Sequence, residues 1–321
     1  MFLEIEHRLS FQYDAFIRES FLELRMQPKT TPEQTLSSFV LAVGPPTKVS
    51  RYRDWNGNVV HHFTIVNFHD RIEVSARSLV STAPAASTLA MAGDQPPLWP
   101  PPYPLLDFLE FGRLVRDGAA LRAFSAAAAV PSDAPLGEQV AVLGRHIHDT
   151  FTYRKNVTRY DSTTDDFLEL RAGVCQDFTH LMLALLRLRG IPCRYVSGYL
   201  HTRPGDGQAA QSHAWIEFHS PTAGWITFDP THNRVIDERY VVVGHGRDYD
   251  DVPPNKGIYR GNAVEALEAQ VVTRPSAQKA ISTLYEEMEH IDVPVFPEIP
   301  ERRRGWHPAL IEDQAEQQQQ Q

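Results

Sequence analysis

Alternation of apolar and polar side chains marks much of the first 80 residues. Every second side chain is mostly apolar in three segments, which are residues 3–13, 22–26 and 72–76. Such a period of two is typical of β-strands with one buried face. Asn56-Gly57 favours a hairpin turn, because both residue types accept a positive φ. These patterns predict a small antiparallel β domain over residues 1–80.

The pattern changes at residue 81. Residues 81–104 are rich in alanine and proline and include the run Pro100-Pro101-Pro102. Because proline fixes φ and lacks an N–H donor, we predict a stiff linker without regular structure here. We predict a catalytic core over 105–275, which opens with short helical segments, one of them with Val140, Leu143 and Ile147 on its buried face.

A helix followed by strands is predicted in the second half of this core. Its buried stripe has the spacing i, i+3, i+4, i+7, i+8 and consists of Phe178, Leu181, Met182, Leu185 and Leu186. The helix is predicted to begin at Val174-Cys175 and to end before Gly190, with Pro192 preventing its continuation. Residues 194–199 then read as a strand and 201–211 as a polar loop. The C-terminal extension, 276–321, is predicted to hold one helix and to end in a disordered glutamine-rich tail.

A hairpin is predicted to bring His213 and Asp229 together. Residues 213–218 and 224–229 both alternate, and 219–223 form a five-residue loop between them. With that loop, His213 lies directly opposite Asp229, and opposed Cβ atoms are about 4.5–5.5 Å apart. The same register places one apolar set on the core face, namely Ala214, Ile216, Phe218, Ile226 and Phe228.

Cys175 is the candidate nucleophile. At a helix N-terminus, free N–H groups and the helix dipole favour a thiolate and can stabilise an oxyanion. A nearby histidine can take the thiol proton, and a carboxylate on its other nitrogen fixes the tautomer. A lone free cysteine is more often buried and inert, and a lone histidine is more often an ordinary surface group. The combination of Cys175 with His213 and Asp229 is what favours a catalytic role. Cys193 does not lie at the start of a predicted helix and is predicted to be structural. Tyr153 is either a second oxyanion donor or a packed side chain.

Composition narrows the class of protein. The chain has 321 residues with 42% hydrophobic content, enough for two packed domains. A net charge of −9 argues against nucleic acid as the main partner. The two cysteines form neither a disulfide framework nor a zinc-type C-x-x-C pair. With no signal-peptide pattern and no apolar run near the ~18 residues of a membrane helix, we predict a soluble cytoplasmic protein without a membrane partner.

Four motifs resemble the transglutaminase-like superfamily, and more narrowly its bacterial two-domain branch, whose members are often described as cysteine proteases. They are Gly-Val-Cys-Gln-Asp-Phe at 173–178, Ser-His-Ala-Trp at 212–215, Gly-Trp…Phe-Asp-Pro-Thr at 224–231, and the segment 244–261. The resemblance covers roughly residues 1–272. It implies an α+β fold, a papain-like core with the Cys helix packed on an antiparallel sheet, preceded by a small β domain.

The resemblance also implies a chemistry. Cys175 corresponds to the nucleophile, His213 to the base and Asp229 to the orienting acid of a triad that transfers acyl groups from peptide or protein amides through a thioester. The calcium and extra β domains of the animal crosslinking enzymes are not evident, so no metal or cofactor is expected. Two alternatives stay open at this point: an acyltransferase of the arylamine N-acetyltransferase type, and a noncatalytic peptide-binding or scaffold module. The oligomeric state is not predicted.

Overall fold

The computed structural model describes residues 1–85, 87–93, 102–131, 133–202, 211–277 and 284–300. Its strands are β1 (Phe2–Leu24), β2 (Gln34–Gly44), β3 (Ser50–Arg53), β4 (Val59–Ile65), β5 (His69–Thr82), β6 (Thr152–Tyr153), β7 (Ala172–Gly173), β8 (Cys193–Leu200), β9 (Gln211–Ser220), β10 (Gly224–Phe228), β11 (Tyr240–Gly246), β12 (Asn255–Arg260), β13 (Glu265–Pro275) and β14 (Tyr285–His290). Its α-helices are α1 (Ala119–Ala127), α2 (Leu136–Thr150), α3 (Thr164–Leu170) and α4 (Cys175–Leu188). This mixed architecture confirms the predicted α+β class.

An eight-stranded sheet forms the N-terminal part of the molecule. The long strand β1 is its centre, since its first half pairs with β5 and β13 and its second half with β4 and β12. Strands β2, β3 and β14 extend the sheet. The domain boundaries at 80, 104 and 275 stay predictions, and three strands of this sheet, β12, β13 and β14, come from beyond residue 250.

The predicted alternation in β1 is confirmed. Its inward residues are almost fully buried, namely Leu3, Ile5, His7, Leu9, Phe11 and Tyr13. The predicted hairpin at Asn56-Gly57 also forms, between β3 and β4. Its turn differs from the predicted type, because of these two residues only Gly57 has a positive φ, of 70°. A longer turn closes instead through Asp54, whose carbonyl accepts from Gly57 N at 2.9 Å and whose carboxylate accepts from Asn58 N at 2.9 Å.

A four-stranded antiparallel sheet of order β10-β9-β8-β11 carries the second core. Helix α4 packs on one face of this sheet, and their shared core contains Leu181, Leu185, Ile216 and Phe218. The predicted helix is confirmed, with its first residue at Cys175. At its end Gly190 has φ of 71°, and Ile191 N reaches back to Leu186 O at 3.0 Å, which is a Schellman termination.

Side chains of the N-terminal sheet seal the outer edge of β11. Gln34 exchanges two hydrogen bonds with the backbone of Val242, of 2.8 and 2.9 Å. Asn58 does the same with His245, again at 2.8 and 2.9 Å. Each amide therefore replaces a residue of a missing neighbouring strand, which fixes the two sheets against each other.

Three predictions about connecting segments need correction or lie outside the described residues. In the predicted linker, 3₁₀ helices occur at Leu89–Met91 and Tyr103–Leu109. Proline is favourable near the start of the Tyr103–Leu109 helix, because its φ is already close to the helical value. The described part of the extension forms strand β14 rather than a helix, because its backbone pairs in parallel with β2. The glutamine-rich end and residues 203–210 of the predicted loop lie outside the described residues. No helix within the described ranges is long and apolar enough to cross a bilayer.

Candidate active site

The start of α4 is built by the motif Gly173-Val174-Cys175-Gln176-Asp177. Val174 has no side-chain oxygen to cap the helix, and the carboxylate of Asp177 accepts from Val174 N at 2.7 Å instead. Thr158 Oγ1 donates to the same Asp177 oxygen at 2.7 Å. A Cβ at position 173 would lie 2.4 Å from that oxygen, which explains why glycine stands there. Cys175 is thus held at the first helical position and is partly exposed.

Asp177 is a support of the helix start. The residue is 2% exposed. Burial raises the pKa of this carboxyl to about 6, although its hydrogen bonds with Thr158 and Val174 lower it. Its hydrogen bonds join the backbone of Val174 and the side chain of Thr158, so it supports the first turn of α4.

His213 and Asp229 meet as predicted, but in a different register. His213 Nε2 lies 2.8 Å from Asp229 Oδ2. In the β9–β10 hairpin, however, Ser220 pairs with Gly224 and Ile216 with Phe228, so the predicted register was wrong by two residues. Asp229 lies beyond the last paired residue of β10 rather than opposite His213.

The turn explains the shift. The loop between β9 and β10 has three residues, 221–223, and not five. Gly224 supplies a φ of 71°, and Ser220 Oγ accepts from Ala223 N at 3.1 Å. Because the side-chain period of a strand is two, a shift of two residues keeps every side chain on its face. The predicted core face is therefore confirmed, with Ala214, Ile216, Phe218, Ile226 and Phe228 all buried.

Asp229 is fully buried and accepts hydrogen bonds at both oxygens. A backbone bridge between Asp229 and Arg234 folds the intervening loop over the carboxylate. Oδ1 accepts from Thr231 N at 2.9 Å and from His232 N at 3.3 Å. Oδ2 accepts from Tyr240 Oη at 2.7 Å, from His232 Nδ1 at 2.7 Å and from His213. Burial alone would raise the pKa of Asp229, but His213 and His232 hold it well below its usual range, so the group is a carboxylate.

His213 joins this carboxylate to the nucleophile. Besides its bond to Asp229 through Nε2, its side chain interacts with Cys175, which raises the pKa of the imidazole; Nδ1 is the ring nitrogen that remains available for the thiol. Burial lowers the pKa of His213, yet the charge and hydrogen bond of Asp229, followed by Cys175, raise it to about 10. The imidazole is therefore charged at neutral pH, beside the thiol.

The structure also describes the surroundings of Tyr153 and Cys193. Tyr153 lies near Cys175 on the short strand β6, and burial together with Cys175 raises the pKa of its phenol. It stays a candidate oxyanion donor. Cys193 is fully buried, and burial raises the pKa of its thiol to about 11. Its Sγ donates to Leu183 O at 3.5 Å, in agreement with a structural role.

Sequence reasoning missed His232 and Tyr240. His232 follows Asp229 by three residues in an irregular loop, and the only signal for it was its closeness in sequence to a candidate acid. Tyr240 comes from β11, at the other edge of the sheet, so no local pattern indicated it.

Metal-ligating atoms also occur at this site. Donor atoms of His213, Asp229 and His232 lie within 4.8 Å of one another. Both imidazoles already donate to the carboxylate at hydrogen-bonding distance. We therefore interpret the group as a hydrogen-bond network.

Comparisons with known proteins identify the family. The family model of the transglutaminase-like superfamily matches residues 122–230, and that of the bacterial transglutaminase-like N-terminal region matches residues 3–81. An uncharacterised protein of Mycobacterium tuberculosis is 32% identical over 280 residues, which cover 82% of this chain and 89% of the relative. A protein-glutamine gamma-glutamyltransferase of Pseudomonas aeruginosa is 31% identical over 135 residues, which are 38% of this chain and only 20% of that protein.

A solved structure shares the fold. A candidate cysteine protease from Cytophaga hutchinsonii superposes with a TM-score of 0.71 at 19% identity, over 88% of this chain and 94% of that one. At that identity the likeness shows the architecture alone. Taken with the two family models and the mycobacterial relative, it means that the chain belongs to the transglutaminase-like superfamily and carries, ahead of the core, the N-terminal region of the bacterial members.

Proposed function

We propose that this protein is a thiol enzyme that transfers acyl groups from peptide or protein amides, with Cys175 as nucleophile, His213 as acid and base, and Asp229 as the acid that orients His213. One observation carries the proposal: His213 lies between Cys175, which raises the pKa of its imidazole, and the buried carboxylate of Asp229, to which Nε2 is bonded at 2.8 Å. A charged imidazole held between a thiol and a carboxylate stabilises a thiolate beside it.

In the first half of the reaction the thiolate of Cys175 attacks the amide carbonyl carbon. Negative charge moves to the carbonyl oxygen, where first-turn amides of α4, which have no partner within the helix, can donate to it. The hydroxyl of Tyr153 is the second donor in this proposal. As the C–N bond breaks, His213 gives its proton to the departing amine, and a thioester on Cys175 remains.

In the second half an acceptor takes the acyl group. Neutral His213 removes a proton from water or from an amine, the acceptor attacks the thioester carbon, and the C–S bond breaks to restore the thiolate. Water yields a carboxylic acid, as in a protease or amidase, and an amine yields a new amide. The name of the Pseudomonas aeruginosa relative supports transfer to an amine, whereas that of the Cytophaga hutchinsonii structure supports hydrolysis.

Trapping the acyl-enzyme tests the proposal. The protein is incubated with a panel of protected glutaminyl peptides and lysine isopeptides, with and without hydroxylamine. The reactions are quenched in acid, and the mass of the intact protein is measured by mass spectrometry. We expect a thioester adduct on Cys175 and a hydroxamate product, both absent in Cys175→Ser. Acylation by acetyl-CoA and by none of the amides would favour the N-acetyltransferase reading. Absence of any adduct, with Cys175 unreactive toward alkylating reagents, would favour the noncatalytic module.

The remaining predictions are part of the same proposal. The substrate is a peptide or protein amide, neither nucleic acid nor a membrane is a partner, and the protein acts in the cytoplasm.

A further inference from the structure

Two imidazoles share one carboxylate oxygen at this site. Nε2 of His213 lies 2.8 Å from Oδ2 of Asp229, and Nδ1 of His232 lies 2.7 Å from the same atom. The rings are 5.2 Å apart between centroids and tilted by 56°. The side chain of His213 is 7% exposed and that of His232 is 26% exposed. One imidazole therefore faces Cys175, and the other reaches solvent.

His232 is not needed to hold the carboxylate in place. Tyr240 Oη still donates to Oδ2, and Thr231 N still donates to Oδ1. Tyr240 is itself fixed by Arg234, whose Nη2 donates to the phenol oxygen at 3.0 Å. The side chain of His232 thus adds a donor to a carboxylate that is already oriented.

Building on the proposed triad, we propose that His232 is a positioning residue of the reaction: its Nδ1–H draws on the charge of Asp229 Oδ2 and limits how firmly that carboxylate holds the proton of His213. A hydrogen bond to a charged carboxylate lowers the charge that it offers to a second partner. His213 must keep its proton until the amine departs and must then work as a base on the acceptor. A base that holds its proton too firmly slows the second half of the reaction.

Other charged and titratable groups at the site set the background for this effect. Asp229 faces His232 from its own loop, and Tyr240 of β11 donates to the same carboxylate oxygen. Arg234 lies behind the phenol ring, 5.5 Å from its centroid. Cys175 faces His213 from α4 on the other side. These groups are unchanged by substitution of His232, so a shift in the titration of His213 reports the loss of the donor.

A matched pair of variants tests the proposal. His232→Met fills similar space without a donor, whereas His232→Gln keeps an N–H donor that cannot become charged. The titration of His213 is followed by NMR of histidine ring carbons in the full-length protein, with its signal identified by its absence in His213→Ala. We expect the midpoint of His213 to rise by about one unit in His232→Met, since two to three such bonds move a carboxyl by about two units. In His232→Gln it stays near the wild-type value.

A control and a second variant keep the test decisive. His148→Ala removes a half-exposed histidine of α2 and is expected to leave His213 unchanged. If His232→Met does not fold, His232→Ala takes its place. An unchanged His213 midpoint in the donor-free variant, or an equal shift in Met and Gln variants, would overturn the proposal. Failure of the triad itself would be recognised separately, as an unreactive Cys175 in the wild-type protein.

Discussion

At the scale of single residues, the charge of His213 depends on Asp229. Burial of a histidine destabilises its charged form. Here an ionised, fully buried carboxylate at 2.8 Å stabilises that form by more than burial destabilises it. The result is a pKa of about 10 for His213. The charged imidazole is the feature that separates the environment of Cys175 from that of Cys193, which lies in an apolar core.

Replacing Asp229 by asparagine is expected to remove this charge while keeping the shape of the side chain. The pKa of His213 then falls, because the carboxylate no longer offsets the effect of burial, and alkylation of Cys175 at pH 6 slows by about ten-fold or more. The rate constant with iodoacetamide measures this. Asp237→Asn, which affects a carboxylate paired with Arg239 at the surface, is the control and keeps the wild-type rate. Equal rates in Asp229→Asn and wild type would contradict the role of Asp229.

At the scale of elements, the start of α4 is held by one buried carboxyl. Asp177 lies in the first turn, receives Val174 N and Thr158 Oγ1, and fits only because residue 173 is glycine. This local arrangement positions the nucleophile. Its energetic cost is the burial of a carboxyl group, whose ionised form is disfavoured there.

That cost predicts a pH dependence of stability. The pKa of Asp177 is raised from 3.8 to about 6 by folding, so the unfolded chain ionises this group first and the free energy of unfolding falls as pH rises from about 4 to about 6. The loss amounts to roughly 3 kcal/mol at 1.36 kcal/mol per unit. Urea unfolding at pH 4, 5, 6 and 7 checks this against Asp177→Asn, which is neutral throughout. A difference between the two proteins that is constant with pH would contradict it.

The sequence predicted elements better than their connections. Alternation in β1 and the apolar stripe of α4 follow from burial of one face, and both were confirmed. The register of the β9–β10 hairpin was wrong because it is set by the turn at Gly224, whose conformation no periodicity encodes. Strand β14 was missed because it is mostly exposed and forms by backbone pairing to a distant strand. The residues 175, 213 and 229 could be found from motifs, whereas Tyr240 required the folded sheet.

At the scale of the whole molecule, the N-terminal sheet completes the core that carries the site. The amides of Gln34 and Asn58 seal the edge of β11, the strand from which Tyr240 reaches Asp229. Tyr199 of β8 joins the apolar core of the N-terminal sheet, and its hydroxyl lies 3.0 Å from His7 Nδ1. The two parts are therefore expected to unfold together.

Asn58→Ala tests this coupling. Asn58 is 1% exposed, and its loss leaves the N–H and C=O of His245 without these partners. A buried polar group without a partner costs about 1–3 kcal/mol, so we expect a loss of roughly 2–4 kcal/mol of unfolding free energy in a single transition. Urea unfolding followed by tryptophan fluorescence and by circular dichroism measures it. Gln270→Ala, at an exposed position of β13, is the control; a loss no larger than that of the control would contradict the coupling.

Truncation after residue 277 tests the role of β14. It uncovers the edge of β2 and removes Val293, which is 3% exposed. An open, apolar strand edge promotes association, so we expect lower stability and concentration-dependent oligomers by light scattering. Truncation after residue 300 keeps β14 together with all of its contacts within the described residues and is the control. If both truncated proteins behave like the full chain, β14 does not protect the sheet edge.

The most direct test of the proposed triad is the pH dependence of iodoacetamide alkylation at Cys175, measured by mass spectrometry in wild type and His213→Ala, with buried Cys193 as internal reference. We predict that Cys175 alone reacts at pH 6 and that its rate there falls at least about ten-fold without His213, because the imidazolium partner of the thiolate is lost. Equal reactivity of Cys175 in both proteins at pH 6, or no reaction of Cys175 in the wild type, would contradict an assembled Cys-His-Asp triad.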